Sequence, residues 1–225
     1  MKCSRIALVG GLVLTWTSSA FGSVIDITQD PNEFDQFTWG WANTVIYAQS
    51  VIADDVLFSL IEMRATWASG GDILFNVIIT GFRVGGAGLG FEPDMTDIRY
   101  NSGMQTVAAG AGQVLTSVNP NLSVTPGERL FVVFDTFSYP SSGNGSMRAT
   151  QFNGPNDWYT PGEFVFVNTS NEQSLADFNN ASWGHRFDNN EDLALLMEFK
   201  VPAPATAALL GLAGLAGGRR RRRRA

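Results

Sequence analysis

Between Val24 and Lys200 the apolar residues recur with a period of two or in short continuous runs rich in Val, Ile, Phe and Thr. Nowhere do they sustain the 3.6-residue period of an amphipathic helix, so the pattern restricts this stretch to strands. Strands are predicted over Val24–Thr28, Thr44–Ile52, Val56–Arg64, Ile73–Val84, Gln113–Val118, Arg129–Phe134, Met147–Phe152, Phe164–Asn168 and Leu193–Lys200, with weaker segments at Asp97–Tyr100 and Gln105–Ala108. The separators include Ser69-Gly70-Gly71-Asp72, Gly85-Gly86-Ala87-Gly88, Thr125-Pro126-Gly127 and Thr160-Pro161-Gly162. Each supplies the fixed φ of proline or the permissive φ of glycine that a reversal of the chain requires. Short strands without intervening helices predict an all-β fold, an antiparallel β-sandwich, because two sheets can then bury their inner faces against each other. Jelly-roll and immunoglobulin-like topologies both fit.

The body of the chain, residues 23–200, is long enough for one domain with a substantial core, and its supply of Phe and Trp argues against disorder. All 21 acidic residues lie between Asp26 and Glu198, while residues 23–200 hold only seven basic ones, a net of −14 that the whole-chain value of −6 conceals. So acidic a body repels phosphate, which excludes nucleic acid and anionic membrane surfaces as partners of the domain itself. The single cysteine, Cys3, precedes the first apolar run. The rest of the chain therefore has no disulfide, no zinc-thiolate site and no cysteine nucleophile.

Both ends read as addresses. Met1-Lys2-Cys3-Ser4-Arg5 is a short basic start, Ile6 to Trp16 is apolar, and Ser18-Ser19-Ala20 places small residues where a signal peptidase reads them. Ala20-Phe21-Gly22 offers a second cleavage site, so residues 1–22 are assigned as a signal peptide. At the other end, Val201-Pro202-Ala203-Pro204 precedes an uncharged Ala/Gly/Leu run from Ala205 to Gly218, and then Arg219, Arg220, Arg221, Arg222, Arg223 and Arg224. An apolar run followed by a positive block holds a chain end in a membrane with its tip on the cytoplasmic side. As a short hydrophobic helix the run would reach roughly 21 Å, less than a bilayer core of about 30 Å, which suits transient arrest better than permanent anchoring.

This order of features, Pro-x-Pro, apolar stretch and terminal Arg cluster, resembles the PEP-CTERM sorting signal of exported bacterial proteins, with Ala203 standing where that family has Glu. The resemblance covers residues 201–225. It implies processing by signal peptidase and then by an exosortase, a membrane-embedded transpeptidase, and delivery through an inner-membrane intermediate to the cell surface or extracellular matrix. Ala53-Asp54-Asp55-Val56-Leu57-Phe58, Gly127 to Val133 and Asp192-Leu193-Ala194-Leu195 are similar to segments of the uncharacterised β-sandwich domains that precede such tails.

Within the body, catalytic chemistry is poorly represented. His185 is the only histidine, no Gly-x-Ser-x-Gly elbow is present, and Glu33-Phe34-Asp35 begins a glycanase-like spacing that Thr38 breaks. The expectation is a protein that is not an enzyme and carries no cofactor. Two binding candidates remain. Asp188, Asn190 and Asp192, in the run Asp188-Asn189-Asn190-Glu191-Asp192, concentrate the oxygen donors that Ca²⁺ takes from loops. Trp39, Trp41 and Trp158, each beside Gly, Asn, Asp or Thr, could stack on an extracellular polysaccharide, with Trp39 and Trp41 expected on one face of a strand. The leading expectation is a non-enzymatic matrix or envelope component, and the alternative is a glycan-binding module.

Overall fold

The computed structural model describes residues 22–30, 33–41, 43–85, 90–140, 143–150, 157–168, 172–185 and 191–201. Among them the fold is all-β. The strands are β1 (Ser23–Asp26), β2 (Phe34–Gly40), β3 (Thr44–Ile52), β4 (Leu57–Ser69), β5 (Ile73–Val84), β6 (Phe91–Val107), β7 (Gln113–Val118), β8 (Leu122–Ser123), β9 (Arg129–Asp135), β10 (Asn144–Ala149), β11 (Phe164–Asn168), β12 (Gly184–His185) and β13 (Leu195–Lys200). One 3-10 helix spans Leu175–Asn180. The expected bounds of β3, β5, β7 and β11 are those observed. The two weak segments expected around residues 97–108 are one 17-residue strand, β6. It lies at an end of the sheet and exposes much of its length, so its polar residues obscure the alternation by which strands are recognised. The strand predicted over Met147–Phe152 is observed as Asn144–Ala149, with Asn144 and Gly145 of the expected loop pairing with β4 and β2, while residues 151 and 152 lie outside the described residues.

The strands follow one hydrogen-bonded path, β1-β13-β4-β10-β2-β3-β9-β5-β6, with β7 and β8 on the free side of β4, and β11 and β12 beyond β3. Pairing is antiparallel throughout except between β2 and β3, which meet in parallel at the pair Trp39↔Thr44. Two extended arrays of ladders are thus linked through one narrow junction. Gly40 sits at it with φ +142°, a conformation that a side chain would strain, and an added Cβ would lie 2.6 Å from the Gly143 carbonyl oxygen.

The main core draws on both arrays. Phe58, Ile61 and Met63 of β4 and Leu195, Met197 and Phe199 of β13 share one buried cluster with Tyr47 and Val51 of β3, Leu130, Val132 and Phe134 of β9, and Phe75, Val77 and Ile79 of β5. One cluster thus joins strands that lie far apart along the hydrogen-bonded path. Alternate residues of the same central strands, Ile46, Ala48, Ile78, Phe131 and Val133, belong to a second core, which Val45 at the start of β3 also joins. That core is closed by Phe178 and Trp183 of the 172–185 segment, by Met95 from a bulge of β6, and by Trp41, Phe137 and Leu175. Burial on both faces explains why β3 and β9 read as nearly unbroken apolar runs.

Candidate functional site

The first and last strands of the body are neighbours. β1 and β13 pair in the register Ser23↔Phe199 to Asp26↔Leu196, so the chain enters and leaves at the same corner. Gly22 is built into that corner: a Cβ there would come within 2.1 Å of the Phe199 carbonyl oxygen. The second small residue expected for signal cleavage is thus also the residue that the backbone approach requires. An open cleft at the corner is lined by Gly22–Val24 and Glu198–Val201. Val24 is 57% exposed and Val201 41%, although both are apolar, and Lys200 pairs with Glu198 at 3.5 Å. Of the sorting-motif residues, Val201 is described. Pro202, Ala203, Pro204 and Arg219 to Arg224 lie outside the described residues, as do the signal segment through Phe21 and the apolar run expected to be helical.

A second polar centre forms around Asp192. Its side chain is buried, with Oδ1 accepting from Gln49 Nε2 at 2.7 Å and Oδ2 from the Tyr159 backbone N–H at 3.1 Å. Gln49 Oε1 in turn accepts the Leu193 N–H at 3.0 Å, and Thr150 exchanges hydrogen bonds with the Asp192 backbone. Burial pushes the Asp192 carboxyl up to about 7, and the negative charge of Asp157, whose Oδ1 accepts from the same Tyr159 N–H, adds to the rise. Asp188 and Asn190, the other expected calcium ligands, lie outside the described residues. Asp192 itself is engaged with protein donors and holds its proton to unusually high pH. As found, it fastens the entry of β13 to β3 and is not an open loop ligand. Among the described residues no group of three or more carboxylate or imidazole side chains is arranged to hold a metal ion.

The three candidate tryptophans separate. Trp39 is wholly buried in the main core, edge-on to Phe75 with ring centroids 5.0 Å apart. Its ring offers no face to a sugar, which corrects the expectation for this residue. Trp41 falls just past the end of β2 and packs against Phe137 beside the second core, so the pair does not share a face. Strand alternation ends at Gly40, and with it the i, i+2 relation. Trp158 is half-buried in a turn between the exposed Asp157 and Tyr159, whose hydroxyl oxygen accepts the Ile52 N–H at 2.8 Å.

His185 lies where β12 meets β11, enclosed between two carboxylates: Nε2 is 3.6 Å from Glu92 Oε1, and Nδ1 is 3.9 Å from Glu163 Oε2. Glu92 also pairs with Arg83, and Glu163 accepts the Phe91 N–H at 3.0 Å. The imidazole joins the covering segment to β6 and β11. Glu33 and Asp35, the start of the broken glycanase spacing, both pair with Arg148 across β2 and β10, at 3.3 and 3.1 Å, and Arg64 approaches Glu33 at 3.4 Å. These acids serve a cross-strand ion network. Sequence reasoning missed the partners Gln49, Glu92 and Glu163, because each lies far along the chain from the residue it holds.

No protein-family model matches the chain, and no curated protein matches it. Among the described residues no helix is long and apolar enough to cross a membrane.

Proposed function

We propose that the chain is an exported, surface-sorted, non-enzymatic β-sandwich protein that serves as a component of the cell envelope or extracellular matrix. In this reading residues 1–22 are removed by signal peptidase and residues 201–225 are handled by an exosortase-type enzyme after arrest in the inner membrane. The two ladder arrays, joined at Trp39↔Thr44 and sharing one core, are the layers of the sandwich. The observation that carries the reading is the pairing of β1 with β13: the two end segments are attached at one corner of a body whose ladders close without them. Removing either end leaves the paired strands intact, as a processed precursor requires. The test replaces Arg219 to Arg224 with neutral residues in the native host. The expected outcome is escape of the precursor from the membrane into the soluble exported fraction, with unchanged membrane retention overturning the arrest step. Intact-mass measurement of the surface form fixes both termini.

A second reading, glycan binding, rests on Trp158, which is half-buried beside exposed Asp157 at the rim of the Asp192 centre. Titration of the body with polysaccharides, with and without Ca²⁺, would show a change in Trp fluorescence that Trp158→Ala abolishes. Absence of response across a broad panel removes this reading.

A further inference from the structure

We propose that the corner formed by β1 and β13 is the face of the folded body that lies against the lipid surface while both end segments are still attached. The inference rests on the export reading and adds the orientation of the body during it. Ser23 and Phe199 are opposite each other in the ladder, so both chain ends issue from the same place. From Val201 to the start of the apolar run at Ala205 is four residues, a reach of at most about 14 Å. From Trp16, the end of the first apolar run, to Gly22 is six residues, or at most about 21 Å. Either tether brings the same corner to the bilayer. Had the ends left from opposite ends of the sheet, the body would have been stretched between two attachments or forced to leave β1 unpaired.

The surface of the corner fits that position. Val24 and Val201 are two of the seven large apolar side chains left exposed among the described residues, and Lys200 there is balanced by Glu198, in a body of net charge −14. An apolar, charge-balanced patch is tolerated at a lipid headgroup layer, whereas the acidic remainder of the surface is repelled by anionic lipid. The opposite end is fixed by the same ladders. Leu57 pairs with Lys200 at the corner, and β4 then runs 13 residues away from it, about 40 Å, to Ser69. There Asp72 accepts the N–H of exposed Ala109 at 2.8 Å. A consequence is that β1 can complete the sheet before either end is cut, so folding does not wait for processing.

The experiment uses the full-length chain with Cys3→Ser and a single reporter cysteine at Val24→Cys, Val201→Cys or Ala109→Cys. Each is labelled with an environment-sensitive fluorophore and reconstituted in phosphatidylcholine vesicles containing a lipid with a nitroxide on its headgroup. The expected result is loss of most of the emission at positions 24 and 201, with emission at 109 unchanged. Vesicle-bound protein in which all three positions respond alike overturns the orientation while leaving the export reading standing. Protein that fails to sediment with the vesicles overturns both. Circular dichroism of each labelled variant confirms that the strand content is retained, so a loss of quenching at 24 cannot be ascribed to unfolding.

Discussion

The two faces of β9 enclose cores of different construction. Leu130, Val132 and Phe134 face the main core, which they share with residues of the hydrogen-bonded strands β4 and β13. Phe131 and Val133 face the second core, where the wall is the irregular 172–185 segment. Apart from the two-residue pairing of β12 with β11 at its end, that segment is held by individual bonds: Asn179 Oδ1 accepts the Met95 N–H at 2.8 Å and Asn179 Nδ2 donates to Asp94 at 2.9 Å, while Trp183 Nε1 donates within the segment to the Phe178 carbonyl at 2.9 Å. Apolar burial is equally complete on both sides, yet only one wall is a ladder in which each strand stabilises its neighbour. The difference teaches that burial alone does not set cooperativity. A face closed by strands unfolds with the sheet, and a face closed by a segment can open by itself.

The sharpest way to break this contrast is to remove one ring from each side. Phe134→Ala is expected to cost about 3–5 kcal/mol and to lower the melting temperature of the whole domain, since the ring lies in the cluster that β3, β4, β5, β9 and β13 share. Phe178→Ala is expected to cost less globally, because the segment can detach at the expense of its own few bonds. Hydrogen exchange should then accelerate in residues 172–185 and at the Met95 amide while β3, β5 and β9 stay protected. Equal melting shifts for the two variants would dissolve the distinction.

The next effect is pH dependence at Asp192. Its folded carboxyl titrates near 7, above the unfolded value of 3.8, so its stabilising contribution is complete below about 3.8 and declines as pH rises through 7. The stability of the wild type relative to Asp192→Asn is therefore expected to fall across that window and to be constant on either side. Chemical denaturation at several pH values measures it, and a difference independent of pH would mean that burial does not raise the carboxyl above its unfolded value. The smallest effect belongs to the outer face of β2 and β10. Arg148→Met, which removes the partner of both Glu33 and Asp35, should destabilise by about 1 kcal/mol or less and should lose that effect in high salt, as partly exposed ion pairs do.

Much of the strand layout was legible because its signals are local. The apolar, β-branched runs of Thr44–Ile52 and Ile73–Val84, and the Gly-bearing turn before Ile73, need only neighbouring residues to be read. β2 is absent from the predicted strands, where Glu33-Phe34-Asp35 reads as paired acids and only the Trp39/Trp41 spacing points to a strand. The polar residues of those positions are explained by Arg148, about 113 residues away along the chain. The tryptophans failed for a related reason. An i, i+2 spacing puts side chains on one face only while a strand continues, and β2 ends between Trp39 and Trp41. For the acidic run 188–192, the sequence marked a concentration of oxygen ligands but could not show that Asp192 turns inward to Gln49, a contact spanning 143 residues.

The sequence by itself determined that this chain is built of strands, where most of them lie, and that its body is acidic between two end segments of opposite character. Periodicity, turn residues and charge are properties of short stretches and survive without any fold. Only the tertiary structure decided that β1 lies beside β13, that Trp39 is enclosed, and that His185 sits between Glu92 and Glu163. Those relations arise when distant segments meet to remove apolar surface from water, and the pattern of one segment carries no record of which other segment it will meet.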